Sequence, residues 1–211
     1  MAENQTEVEF MGSLNQKKFE ELKKLFEKEG SFKKNKERLT FMYFRDRIPK
    51  DLSEIKDEFV DLRFRVTNKE PEIVLKYGLF SGSHARREIS IYPKDEEVEK
   101  YLEMLALLGW NIGVINATKT HVYDYHGIEF ALVEIKDFGY NFEAEILTNE
   151  KWVEEAKKKI TFEIDRLGIR PFDEAGLNEQ CNAINNKKDL QFDLLGQPFS
   201  EIRERFKEYF A

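Results

Sequence analysis

Glu7 and Glu9 stand two residues apart in "TEVEFMGS", alternating with Val8 and Phe10. In a strand this spacing sends both carboxylates to one face and both apolar side chains to the other. Two like charges side by side suit either a wet face or a site for a hard cation, since Mg²⁺ and Mn²⁺ prefer oxygen ligands. The same pattern returns late in the chain. In "NFEAEI", Glu143 and Glu145 share a face opposite Phe142, Ala144 and Ile146. Between these acidic strands the charge changes sign. Arg63 and Arg65 share a face in "DLRFRV", Lys76 lies in "EIVLKYG", Arg86 with Glu88 and Ser90 in "ARREISI", and Lys119 with His121 and Tyr123 in "ATKTHVYDY". Arginine and lysine grip phosphate oxygens, arginine as a fork and lysine as a point charge. Carboxylates that hold a divalent ion, beside cations that hold phosphate, are the parts needed for metal-assisted chemistry on a polyphosphate.

The elements that carry these residues follow from periodicity. Residues 5–12, "ERLTFMYFRD", "EFVDLRFRVTN", "EPEIVLKYG", "ARREISIYP", "VINATKTHVYDY", "IEFALVEIK" and "NFEAEIL" read as strands. Phe19, Leu22, Leu25 and Phe26 recur at helical spacing between an Asn15 cap and a Gly30 stop. A second helix has Val98, Tyr101, Leu102, Leu105 and Leu108 on one face and ends at Gly109. A third starts at Thr148 or Asn149 and stops at Gly168, and "DEAGLNEQCNAINNK" and "PFSEIRERFKEYF" predict two more. Most strands join by short turns, so the fold class is α+β, with a largely antiparallel β-barrel flanked by helices and a helical C-terminal extension. Closure would turn the charged faces into an interior, where unpaired charge is costly without a partner. The expected organisation is one tunnel domain over 1–190 and an extension over 191–211 packed on it.

The 211 residues are 41% hydrophobic and 36% charged, with 18 Phe, which fits a globular chain with an ample core. A net charge of −7 argues against sequence-independent nucleic-acid binding. Residues 1–50 hold 12 Lys+Arg and 9 Asp+Glu, an excess read as a solvated helix face. No apolar run spans a bilayer and the start, "MAENQTEVEF", has no signal-peptide pattern, so a cytoplasmic location and no membrane partner are expected. The single Cys181 excludes an internal disulfide and a cysteine-based metal cluster, and its helical setting reads as a small buried hydrophobe. His84 and His126 fall in loops as polar surface; His121 is either a phosphate contact or a hydrogen-bonded strand histidine.

In order, "EVEFM", "LRFR", "IVLKYG", "RREIS", "KTHVY" and "EAE" resemble the motifs of the CYTH family, the triphosphate tunnel metalloenzymes: Glu-x-Glu-x-Lys, Leu-Arg-x-Arg, Lys-x-Gly, Arg-x-Glu-x-Glu, Lys-x-Arg-x-x-Tyr and a closing Glu-x-Glu. The resemblance covers roughly residues 5–185. It implies a charged tunnel in which Glu7, Glu9, Glu143 and Glu145 hold Mg²⁺ or Mn²⁺. It also implies that Arg63, Arg65, Lys76, Arg86, Lys119 and His121 hold the phosphates, with Glu88 as a further tunnel residue. The substrate would be a small-molecule triphosphate or polyphosphate, and the protein a monomer or homodimer. The chain departs from the motifs at Met11, Ser90, His121 and Val133. The expected activity is hydrolysis of an inorganic, nucleoside or thiamine triphosphate by a metal-oriented water. Formation of cyclic AMP, as in class IV adenylyl cyclases, and a non-catalytic tunnel that binds a phosphorylated ligand remain the alternatives.

Overall fold

The computed structural model describes residues 5–51, 54, 59–78 and 87–210. In chain order the elements are β1 (Gln5–Leu14), α1 (Gln16–Glu29), β2 (Ser31–Phe44), β3 (Phe59–Thr67), β4 (Glu70–Gly78), β5 (Arg87–Ile91), α2 (Val98–Leu107), β6 (Ile112–Tyr125), β7 (Ile128–Ile135), β8 (Gly139–Asn149), α3 (Val153–Leu167), α4 (Glu174–Asn185), β9 (Gln191–Asp193) and α5 (Phe199–Arg205). Hydrogen-bonded neighbours follow the order β1-β8-β7-β6-β2-β3-β4-β5, with β9 on β6. The pairs β1–β8, β8–β7, β7–β6, β2–β3, β3–β4, β4–β5 and β6–β9 are all antiparallel. The α+β class with an antiparallel sheet and flanking helices is as the sequence predicts.

Contacts divide the chain into two compact units. The first comprises 1–36 and 118–177, the second 37–117 and 178–211, so β2 and β6 contribute to both.

In the first unit, Phe19, Leu22 and Phe26 of α1 pack with Ile160, Ile164 and Leu167 of α3 and with Val8, Tyr123, Phe130, Leu132, Phe142 and Ala144 of the strands. Each such large apolar side chain contributes about 2 kcal/mol on burial. The Asn15 side chain accepts from Lys18 N, capping α1 as predicted. Gly168 ends α3 in the left-handed region at φ 64°, where glycine carries no Cβ penalty. A 3₁₀ turn over 150–152 precedes α3, so Asn149 stands at the N-cap of that turn without a side-chain capping bond, and Trp152 occupies the α-helical N-cap. His126 and Gly127, both at positive φ, form the tight β6–β7 turn.

In the second unit, Leu39, Phe41 and Tyr43 of β2, Leu62, Phe64 and Val66 of β3, and Ile73 of β4 form one apolar layer. Val98 and Leu102 of α2 cover it, as do Phe192, Phe199, Ile202, Phe206, Tyr209 and Phe210 from the C-terminal stretch. Residues 191–210 thus supply core, including a short β9 that periodicity did not reveal. Leu108, read as part of the buried α2 face, is instead exposed at 61%, because α2 ends at Leu107 and Leu108 is its C-cap.

Candidate metal and anion sites

The β1–β8 register places Glu9 directly opposite Glu145, and the β7–β8 register places Glu129 opposite Glu145 from the other side. Directly opposed residues share a face. Carboxylate oxygens of Glu7, Glu9 and Glu145 all lie within 4.8 Å of one another. Such a set repels itself. Burial and the neighbouring Glu7, which shares a hydrogen bond with it, push the Glu145 carboxyl up to about 7; Glu129 and Glu9 add to the effect. Three hard oxygen donors in this space suit Mg²⁺ or Mn²⁺. Glu143 shares the face, opposite Met11 and Ala131, but lies outside the triad. Glu129 was missed by the sequence reading, although its alternation with Ile128 and Phe130 was there to be read.

The same face continues into an apolar patch. Val122, Ala131, Val133 and Ile135 form a buried cluster with Phe138 packed against it. Val133, where the family motif has Asp, is buried in this cluster, and Glu134 is exposed on the other face.

Lys119 and His121 do not join the carboxylates. Their register opposite Glu134 and Leu132 puts them on the face of Tyr123, Phe130 and Phe142, which α1 covers. His121 Nδ1 lies 2.8 Å from Asn35 Oδ1, and its ring is 6.4 Å from that of Phe19. Burial, then the Lys23 ammonium, hold its pKa below the ordinary value, so it is a neutral strand histidine at pH 7. This corrects the expectation that both share a surface with Glu7 and Glu145.

In the second unit, Asp61, Arg63 and Arg65 project from β3 opposite the apolar layer of Leu62, Phe64 and Val66, as the alternation predicts for the two arginines. Arg63 Nε and Nη2 donate to Asp61 Oδ1 and Oδ2 at 2.7 and 2.6 Å. On β4 and β5, Lys76 Nζ meets Glu88 Oε2 at 2.8 Å, and Ser90 Oγ donates to Glu72 Oε1 at 2.7 Å. Burial acts to raise the Glu88 carboxyl, but the hydrogen bond and charge of Lys76, with Arg65 and Arg63, outweigh it and hold it below the usual value. Ser90 therefore bonds an acid, where the motif that "RREIS" resembles would supply one.

Arg65 is different. It is only 8% exposed. Its Nε stands 3.6 Å from Glu72 and its Nη2 3.8 Å from Glu88, near enough for ion pairing but too far for hydrogen bonds. Both buried nitrogens lack a hydrogen-bond partner among the described residues. Buried guanidinium N–H groups left unsatisfied are costly, and an oxyanion seated there would relieve them. Arg86 and His84 lie outside the described residues. Cys181, on α4, is partly buried; burial raises its thiol pKa and Arg63 opposes this.

No family model matches the chain, and no curated protein matches it. Solved structures do. The PH1819 protein of Pyrococcus horikoshii OT3 is 25% identical, with a TM-score of 0.59 over 79% of this chain and 93% of that one. A candidate adenylate cyclase from Vibrio parahaemolyticus is 15% identical, with a TM-score of 0.56 over 80% and 94%. HpAC1 from Hippeastrum, a candidate adenylyl cyclase with a dominant triphosphatase activity, is 17% identical, with a TM-score of 0.52 over 83% and 95%. The chain has the fold of these proteins, and the resemblance to the CYTH family carried by its motifs is matched at the level of the fold. No helix among the described residues is long and apolar enough to cross a membrane.

Proposed function

We propose that the chain is a divalent-metal-dependent phosphohydrolase that acts on a triphosphate compound. The observation that carries this reading is the Glu7–Glu9–Glu145 triad, with its carboxylate oxygens all within 4.8 Å of one another. These residues would hold Mg²⁺ or Mn²⁺, which when bound supplies charge neutralisation at phosphate oxygens and orients water. Arg65 supports the phosphate-binding half through its two unsatisfied buried nitrogens, with Arg63 and Lys76 on the same strand faces. Arg65, in the second unit, would bind phosphate oxygens with those nitrogens. Lys119 and His121 have no part in this assignment. The triphosphatase activity of HpAC1 supports hydrolysis over cyclisation.

A second reading has a specific observation behind it. Val133 and the buried apolar cluster stand where the family pattern supplies an acid, and Met11 where it supplies a lysine. A chain so altered could bind a polyphosphate without turning it over.

Product analysis with ATP and Mn²⁺ separates the cases. ADP with phosphate is expected. Cyclic AMP with pyrophosphate would replace the hydrolase by a cyclase, and binding without product would favour the second reading.

A further inference from the structure

We infer that Asp61 is the residue that positions Arg63 for an anionic ligand; this rests on the phosphate-binding reading above. Asp61 was passed over in the sequence because it precedes the "LRFR" stretch, yet it lies one strand repeat before Arg63 and so on the same face. It is the most deeply buried acid described, 2% exposed, against 8% for the Arg65 beside it. A carboxylate that deep requires a counter-charge with good geometry. Arg63 provides it with two hydrogen bonds, Nε to Oδ1 and Nη2 to Oδ2, at 2.7 and 2.6 Å. Lys76 is Asp61's cross-strand neighbour in the β3–β4 register, but its ammonium goes to Glu88 at 2.8 Å.

The pairing has a consequence for recognition. A guanidinium carries five N–H donors in a rigid fork. Asp61 engages Nε and one edge of Nη2, which fixes the plane of the fork and leaves the remaining donors on the side away from the carboxylate. Two residues on, Arg65 is held only loosely, with Glu72 and Glu88 beyond hydrogen-bond distance. The two arginines of one strand face thus differ in kind. Arg63 is locked by a buried acid and presents a fixed edge. Arg65 has two nitrogens, Nε and Nη2, without a hydrogen-bond partner among the described residues, and takes up the ligand's charge. Asp61 is a positioning residue that acts through Arg63 and does not itself touch the anion.

The test measures binding of tripolyphosphate with Mg²⁺ by calorimetry, together with KM and kcat, for the full-length wild type, Asp61→Asn, Arg63→Lys, Arg63→Ala, Asp61→Asn/Arg63→Ala and Arg65→Ala. Asp61→Asn turns one acceptor into a donor facing the guanidinium. It should weaken binding on the order of tenfold, the size of one charge-assisted hydrogen bond lost from position. KM should rise in step while kcat changes little. Arg63→Lys, which keeps the charge but not the fork, should show the same loss. In the Arg63→Ala background Asp61→Asn should add nothing further. Wild-type affinity in Asp61→Asn, or additive losses in the double variant, overturns the inference. If Asp61→Asn does not fold, wild-type affinity in Arg63→Lys overturns it instead. Arg65→Ala keeps the two claims apart. Loss of binding there with none in Asp61→Asn sinks only the role of Asp61. A wild type that does not bind tripolyphosphate sinks the underlying reading, and the role of Asp61 with it.

Discussion

Replacing Glu145 by Gln should make the metal-free protein more stable at pH 8, although it removes a residue assigned to the metal. Glu145 is raised from the ordinary value of 4.5 to about 7 by burial and by Glu7, Glu129 and Glu9. A folded-state pKa above the unfolded one contributes stability that is fully present below about pH 4.5 and is lost as pH rises through about 7. At 1.36 kcal/mol per pH unit that interval corresponds to about 3 kcal/mol; because the group is half-exposed, solvent screening reduces this to about 1–2 kcal/mol. For a chain of this length 1 kcal/mol moves Tm by about 2–4 °C. Thermal unfolding in EDTA should therefore show wild type losing roughly 2–8 °C between pH 5 and pH 8 from this group alone. Glu145→Gln should flatten that slope and exceed wild type at pH 8. Added Mn²⁺ should reverse the order, because the ion stabilises the wild type as the proton leaves and has less to hold in the variant. A wild-type Tm independent of pH in EDTA, or a Glu145→Gln variant less stable than wild type at pH 8 without metal, would refute the reasoning.

Other outcomes follow from the same geometry. Arg65→Ala takes away a charge that stands 3.6 and 3.8 Å from Glu72 and Glu88, but Ser90 and Lys76 still hold those carboxylates, so it should cost only about 1 kcal/mol at pH 7 in urea unfolding; Arg65→Lys should keep that stability but not tripolyphosphate affinity. Gly12→Ala would drive a methyl group into the Arg170 carbonyl and the Phe142 ring, and should destabilise the first unit by about 3 kcal/mol or prevent folding. His121→Ala should leave KM for a triphosphate unchanged, since the histidine faces α1 and Asn35; a rise of tenfold would return it to the ligand site.

The fold was legible wherever one strand face is wet and the other dry. In β3 the contrast between Leu62, Phe64 and Val66 and the intervening arginines gave both the strand and the face correctly. The period-2 rule failed for β6 because both of its faces are covered. Val122 is 0% and Tyr123 1% exposed, so alternation carries no contrast there and could not say which side Lys119 and His121 take. Only the partner register, with Leu132 and Glu134 opposite, decides it. The first half of β2, "SFKKNK", was unreadable as a strand because Phe32 is its one apolar residue, so no alternation shows, and all of it is exposed apart from the half-buried Lys36. In the site, the acids were found where they come in pairs. Asp61 and Glu129 were missed because each is the one acid on its strand face, and their significance comes from what the register sets beside them.

The central claim is metal-dependent hydrolysis of a triphosphate supported by Glu7, Glu9 and Glu145. The most direct measurement is phosphate release from tripolyphosphate, ATP and thiamine triphosphate with Mg²⁺ or Mn²⁺, with Glu9→Ala and EDTA in parallel. Release from at least one substrate, abolished both by EDTA and by Glu9→Ala, is expected. Release that persists in EDTA and in Glu9→Ala, or none from any substrate with either metal, would contradict it.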